Sequence, residues 1–168
     1  MGVDPGLTRC GIGVIEGTMG RMPKLVSFGV ITTPAELDHA KRLLRIEEGL
    51  AEWFDGYHPD RVAIERVYAD QNVISVMGTA QAAGLAMVAA AKRGLPVTLH
   101  TPTEVKAAIT GSGRADKSQI GKMVAKILKL DAPPQPADAA DAVALAICHF
   151  WRGAASDRIE AAMEKVKR

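Results

Sequence analysis

The short run Arg61-Val62-Ala63-Ile64-Glu65 constrains the fold more than any other feature of the chain. Its unbroken apolar core reads as a strand buried on both faces, and such a strand needs a sheet with layers packed against both sides. The run ends in a carboxylate, so it delivers Glu65 to the C-terminal edge of the sheet, where sites collect in α/β folds.

The remaining segments supply those layers. Cys10 to Glu16 and Leu25 to Thr32 are Val/Ile-bearing runs split by Gly17, Gly20 and Pro23, which predicts an antiparallel hairpin. Met1 to Asp4 reads as the short end of a preceding strand. Thr33-Pro34-Ala35-Glu36 has a capping residue, proline at the first helical position and glutamate three after the cap, so a helix is expected to begin there. Leu43, Ile46, Leu50, Trp53 and Phe54 fall on its inner face, and it should stop near Gly56 and Pro59. A long helix is predicted over Val73 to Arg93. Its Ala80, Ala83, Gly84 and Ala90 let another backbone come close, either the sheet or a second copy of the chain.

Pro96 to His100 reads as another strand, and Thr101-Pro102-Thr103-Glu104 repeats the capping signature before a short helix. Gly111-Ser112-Gly113 predicts a mobile loop. Lys117 to Lys129 returns to helical spacing, with Ile120, Val124, Ile127 and Leu128 inward and Lys122, Lys126 and Lys129 on another stripe. Pro133, Pro134 and Pro136 enforce an extended entry to a last main helix over Ala137 to Trp151. The order β-β-β-α-β-α-β-α-α predicts an α/β fold with a mixed sheet flanked by helices. A chain of 168 residues fits one domain, here 1–152, followed by a charged tail over 153–168 that is compatible with a partly ordered helix.

Composition narrows the class. The most apolar stretch, Ala80 to Ala91, is alanine-rich and broken by Gly84, too weakly hydrophobic for a bilayer span. Met-Gly-Val-Asp carries no basic, then apolar, leader pattern, so a cytoplasmic protein is expected. Cys10 and Cys148 lack metal-ligand spacing and read as small buried hydrophobes. Net charge is only +2, yet Lys106, Arg114, Lys117, Lys122, Lys126 and Lys129 stand against Asp116 alone, a basic segment that suits phosphate or simply a solvated face.

Four carboxylates carry the chemistry. Asp4 and Glu65 end strands, and Asp138 and Asp141, three apart, share one face at the start of a helix that continues into Ala142, Leu145 and Cys148. Acids turned toward a sheet need partners, and no arginine or lysine lies near Asp138 and Asp141 in sequence. Clustered hard oxygens suit magnesium or manganese, and two such ions, roughly 3.5–4 Å apart, would support in-line attack of water on a phosphodiester. Taken singly, Asp138 could be a helix cap and Glu65 an ordinary strand end. Without metal, four close acids should repel and raise the group's folded-state pKa, so Asp141→Asn is expected to stabilise the metal-free protein. His149, two turns beyond Asp141, reads as packing rather than a ligand.

Asp4-Pro5-Gly6-Leu7-Thr8 also matches the Asp-x-Gly-x-Thr phosphate turn of sugar kinases and actin-like ATPases, a rival reading as a ribonuclease H-like ATP-binding protein. Those proteins hold two such domains, and 168 residues cannot. A non-catalytic junction-binding protein is a third class, one that would not need the carboxylates.

Gly2-Val3-Asp4-Pro5-Gly6, Ala63-Ile64-Glu65-Arg66-Val67 and Ala137-Asp138-Ala139-Ala140-Asp141-Ala142 together resemble the bacterial Holliday junction resolvases of the RuvC family. Lys106 after Glu104-Val105 and the turn Asp116-Lys117-Ser118-Gln119 extend the likeness through Trp151. The resemblance implies a ribonuclease H-like mixed five-stranded sheet and a homodimeric, magnesium-dependent endonuclease that nicks opposing strands of a four-way DNA junction. It implies that Asp4, Glu65, Asp138 and Asp141 are the catalytic, metal-binding carboxylates, with manganese able to substitute. It further implies DNA handling by Lys106 and Lys117 within the basic segment that holds Arg114 and Lys122, and work beside RuvA and RuvB. Tyr68 falls where the family has an aromatic stacked on an unpaired base; by itself it reads equally as a half-buried strand-end aromatic.

Overall fold

The computed structural model describes the backbone of residues 1–18, 20–68 and 73–166, and side chains within 1–18, 20–68 and 76–153. Strand β1 (Gly2–Asp4) is followed by β2 (Arg9–Glu16), β3 (Lys24–Thr32), α1 (His39–Tyr57), β4 (Val62–Glu65) and α2 (Val73–Ala91). Then come β5 (Val97–His100), α3 (Pro102–Thr110), α4 (Lys117–Leu128) and α5 (Ala137–Val166). The sheet runs β3-β2-β1-β4-β5, antiparallel between the first three strands and parallel from β1 through β4 to β5. This mixed five-stranded sheet with helices on both faces is the ribonuclease H-like α/β fold.

The apolar run of β4 is explained by where its side chains go. Val62 and Ile64 enter the core beneath α1 and α2, while Ala63 enters the one beneath α3, α4 and α5. Alternation puts successive residues on opposite faces, and both faces are covered. Strand β2 has the same division in a different composition. Cys10, Ile12 and Val14 face the α1/α2 core, whereas Gly11 and Gly13 face α5.

Those glycines set the approach of α5. A Cβ on Gly13 would lie 2.6 Å from the Cα of Val143, and one on Gly11 would overlap the carbonyl oxygen of Asp138. At Gly2, Gly11 and Gly13 helix α5 therefore lies directly on the main chain of the strands.

Local signals predict most helix starts. Thr101 and Glu104 form the expected capping box at α3, and Asp116 with Gln119 forms another at α4. Helix α1 departs from expectation: it begins at His39, with the Asp38 carboxylate accepting from the Lys41 amide. The Thr33 hydroxyl is used elsewhere, donating to the Leu7 carbonyl at 2.6 Å and accepting from Arg42 Nε at 2.9 Å. A cap contributes about 1 kcal/mol, while Ile46, Leu50 and Phe54, essentially fully buried, contribute roughly 2 kcal/mol each. Packing decides where the helix lies.

Three further details differ from the sequence reading. Lys129 terminates α4 in the left-handed region, φ 55°, instead of continuing its lysine stripe. Helix α5 passes Trp151 and Gly153 and ends at Val166. On α2, Ala83 and Ala90 are buried, but Ala80 is exposed and Gly84 has open space where a Cβ would stand. Among the described residues no helix is long and apolar enough to cross a membrane. Cys10 and Cys148 are buried free thiols, as expected, and burial pushes them up to about 12 and about 11.

Candidate active site

Strands β1 and β4 run parallel with Val3 opposite Ile64, so Asp4 and Glu65, the next residue of each, emerge at one sheet edge. Across β1, Asp4 pairs with Gly11, and the missing side chain there admits the first turn of α5. That contact brings Asp138 and Asp141 to Asp4. The four carboxylates are thus assembled by a parallel register and a glycine, two backbone features.

Their charges are not handled alike. Arg9 Nε lies 2.7 Å from Asp138 Oδ2, and Lys117 Nζ lies 3.0 Å from Asp141 Oδ2. Both cations come from elements distant in sequence, which answers the missing partners noted above. Among the described residues Asp4 has no such direct pairing: burial first, then the charges of Glu65, Asp141 and Asp138, push its carboxyl up to about 8 against the pull of Lys117. Glu65 is also raised, by burial and then Asp141, against the pull of Lys117 and Lys106. Lys117 is held protonated above its usual range, chiefly by its hydrogen bond to Asp141. The expected repulsion is present and raises Asp4 and Glu65, with Asp141 among its sources, while Asp141 itself is held by Lys117. The expectation that Asp141→Asn stabilises the metal-free protein therefore meets an opposing contribution, the ion pair of Asp141 with Lys117.

The donor set is hard oxygen with too little positive charge around Asp4, which fits a divalent cation. Among the described residues no three Asp, Glu, His or Cys side chains converge as a finished ligand cage, and Asp138 and Asp141 are turned onto Arg9 and Lys117. The donor chemistry suits such an ion, while both of those acids are engaged by cations of the chain.

The basic candidates separate by position. Lys117 joins the carboxylates, and Lys106 lies close enough to act on Glu65. Arg114, in the loop before α4, and Lys122, on α4, are exposed and do not figure among the charges acting on Asp4 or Glu65. Tyr68 stands three residues past Glu65 and is 52% exposed, more open than a half-buried strand-end aromatic. His149 pairs with the buried His100, Nδ1 to Nε2 at 3.1 Å, consistent with packing.

Arg9 and Arg42 were not singled out from the sequence. Arg42 Nη2 donates to the Thr8 hydroxyl at 2.6 Å while its Nε donates to Thr33, so α1 clamps the turn between Asp4 and Arg9. The threonine of the kinase-like turn is thereby committed within the chain. The only sequence signals were a charged residue opening an apolar strand and two glycines on one face of it.

The model of the family described as crossover junction endodeoxyribonuclease RuvC matches residues 1–149. The chain belongs to the RuvC family. Over the whole chain it is 67% identical to the RuvC of Cutibacterium acnes, covering 86% of that protein, and 62% identical to that of Thermobifida fusca, covering 92%. Thermus thermophilus RuvC in complex with a Holliday junction substrate superposes with a TM-score of 0.86 at 31% identity, over 92% of this chain and 94% of that one. The yeast mitochondrial resolvase Ydc2, at 11% identity and a TM-score of 0.65, shares the fold. As a RuvC-family member the chain is a Holliday junction-resolving endonuclease, a hydrolytic, metal-dependent enzyme of DNA recombination and repair that binds junction DNA.

Proposed function

We propose that Asp4, Glu65, Asp138 and Asp141 are the catalytic and metal-binding carboxylates, and that they hold two magnesium ions, with manganese able to substitute. The observation that carries this is Asp4, a partly buried acid among three other acids, raised by burial and by them despite the more distant charge of Lys117 and with no direct ion pair among the described residues. Bound there, divalent cations would supply the charge that activates water and stabilises the leaving oxygen of a phosphodiester. The chain's own part is to fix the donors: the sheet aims Asp4 and Glu65, and α5 aims Asp138 and Asp141.

Lys106 and Lys117 flank the acids and present positive charge to the scissile strand. Arg114 and Lys122 extend it along the backbone, where contacts add affinity without sequence preference. Tyr68, exposed beside the site, offers a face on which an unpaired base at the crossover stacks. A homodimer would match the approximate two-fold symmetry of a junction and give paired nicks. The exposed Met77, Met87 and Val88 of α2 support that seam. In this reading residues 1–152 are the nuclease domain, 153–168 an appended segment, and the enzyme acts in the cytoplasm beside RuvA and RuvB.

Cleavage of a synthetic four-way junction with magnesium and with chelator tests the assignment. Asp4→Asn, Glu65→Gln and Asp141→Asn should each abolish nicking and retain junction binding by gel shift. Near-normal cleavage by any one of them would refute it.

A further inference from the structure

Arg9 is the one residue at the site with no role in the reading above. Its main chain is fixed: Arg9 pairs with Thr32 in the β2/β3 ladder, the Thr33 amide donates to the Thr8 carbonyl at 3.0 Å, and Arg42 grips Thr8. Its side chain is otherwise placed. Nε holds Asp138, yet the side chain is 51% exposed, so a planar, forked donor stays open to solvent at the edge that carries the carboxylates. A permanent ion pair to Asp138 would also oppose a divalent cation at that carboxylate.

The geometry points to Arg9 as a hand-over cation: it neutralises Asp138 while the site lacks a divalent ion and, once released from that carboxylate, binds a phosphate of the junction strand. This rests on the carboxylate assignment proposed above and adds to it a positioning residue supplied by the sheet. Lys117 makes the corresponding pair to Asp141, but from the first turn of α4 and as a point charge. Of these two cations, Arg9 alone offers a fork able to engage two phosphate oxygens.

The test reads junction affinity in chelator over a salt series, so it does not depend on cleavage and its outcome is separable from that of the metal assignment. The proteins are wild type, Arg9→Gln, Asp138→Asn and the double variant. Asp138→Asn frees the guanidinium without metal and should tighten binding on the order of tenfold, the worth of one charge-assisted hydrogen bond. It should also steepen the salt slope by about one counterion. Arg9→Gln alone should change little, and the double variant should lose the gain. Arg9→Lys with Asp138→Asn should keep the steeper slope, which separates loss of the cation from loss of fold. If the gain of Asp138→Asn persists without Arg9, simple relief of repulsion explains it and the proposal is overturned. It is equally overturned if Arg9→Gln weakens wild-type binding as much as Asp138→Asn tightens it, since Arg9 would then be a constant phosphate ligand.

Discussion

Asp4 and Glu65 arrive on strands, and Asp138 and Asp141 arrive on the first two turns of α5, yet the two pairs meet at one edge with opposite electrostatics. The helix pair is neutralised by Arg9 and Lys117. The strand pair is raised in pKa, Asp4 to about 8, by burial and by neighbouring acids. The difference teaches where positive charge falls short: Arg9 and Lys117 pair directly with the acids of α5, whereas at the strand ends burial and neighbouring acids outweigh the pull of Lys117 and Lys106.

The largest expected effect comes from forcing the pairs apart. Gly11→Val would push the first turn of α5 off Asp4, and misplacement by about 1 Å can cost roughly 100-fold in rate. Overpacking should also cost about 1–3 kcal/mol in stability. Leu50→Ala on the opposite face should destabilise at least as much, by about 2–5 kcal/mol, while leaving the carboxylates in place. Cleavage and thermal melting of both variants check this; normal nicking by Gly11→Val would show that the contact does not set the site.

The next effect sharpens the contrast between pairs in the metal-free protein. Asp4 has an unfolded-state value of 3.8 and a folded value of about 8, so folding takes up a proton between them. Stability should therefore fall as pH rises from about 4 to about 8, with the penalty complete above that window and absent below it. Asp4→Asn should remove the slope and stabilise the protein near pH 8 by on the order of 2 kcal/mol, less than the full shift because the surroundings relax. Asp141→Asn should instead cost up to about 1 kcal/mol, the worth of its pair with the mostly exposed Lys117. Melting curves in chelator across pH decide it, and a higher melting temperature for Asp141→Asn than for Asp4→Asn would reverse the assignment of strain.

The smallest effect isolates one cation. Lys117→Ala should lower cleavage and reduce the salt slope of junction binding by about one counterion, with a stability change under about 1 kcal/mol. An unchanged slope would leave Lys117 as a structural partner of Asp141 only.

Elements whose signal is local were legible in the sequence. The hairpin, the β4 run and the Thr101 capping box each depend on neighbours a few residues away, and each stands where expected. The start of α1 misled because Thr33-Pro34-Ala35-Glu36 satisfies the same local rule, while Thr33 is bound to Leu7 and Arg42 across the fold. The carboxylates were visible as residue types placed at element ends. Their partners were not, since Arg9 and Lys117 reach Asp138 and Asp141 only through tertiary folding, and charge spacing along the chain carries no trace of that.

The direct seating of α5 on Gly2, Gly11 and Gly13 has a mechanical consequence. Side chains in a packed layer can hop between rotamers and close small voids, and that is how protein interiors yield to pressure or heat. Main chain resting on main chain has no such layer to compress. The separation between the strand acids and the helix acids is therefore a stiff dimension of the molecule, while the α1/α2 side, filled by Ile46, Leu50 and Phe54, is the compliant one. Under hydrostatic pressure the fold should shorten first on the α1/α2 face, and the span across the carboxylates should change last.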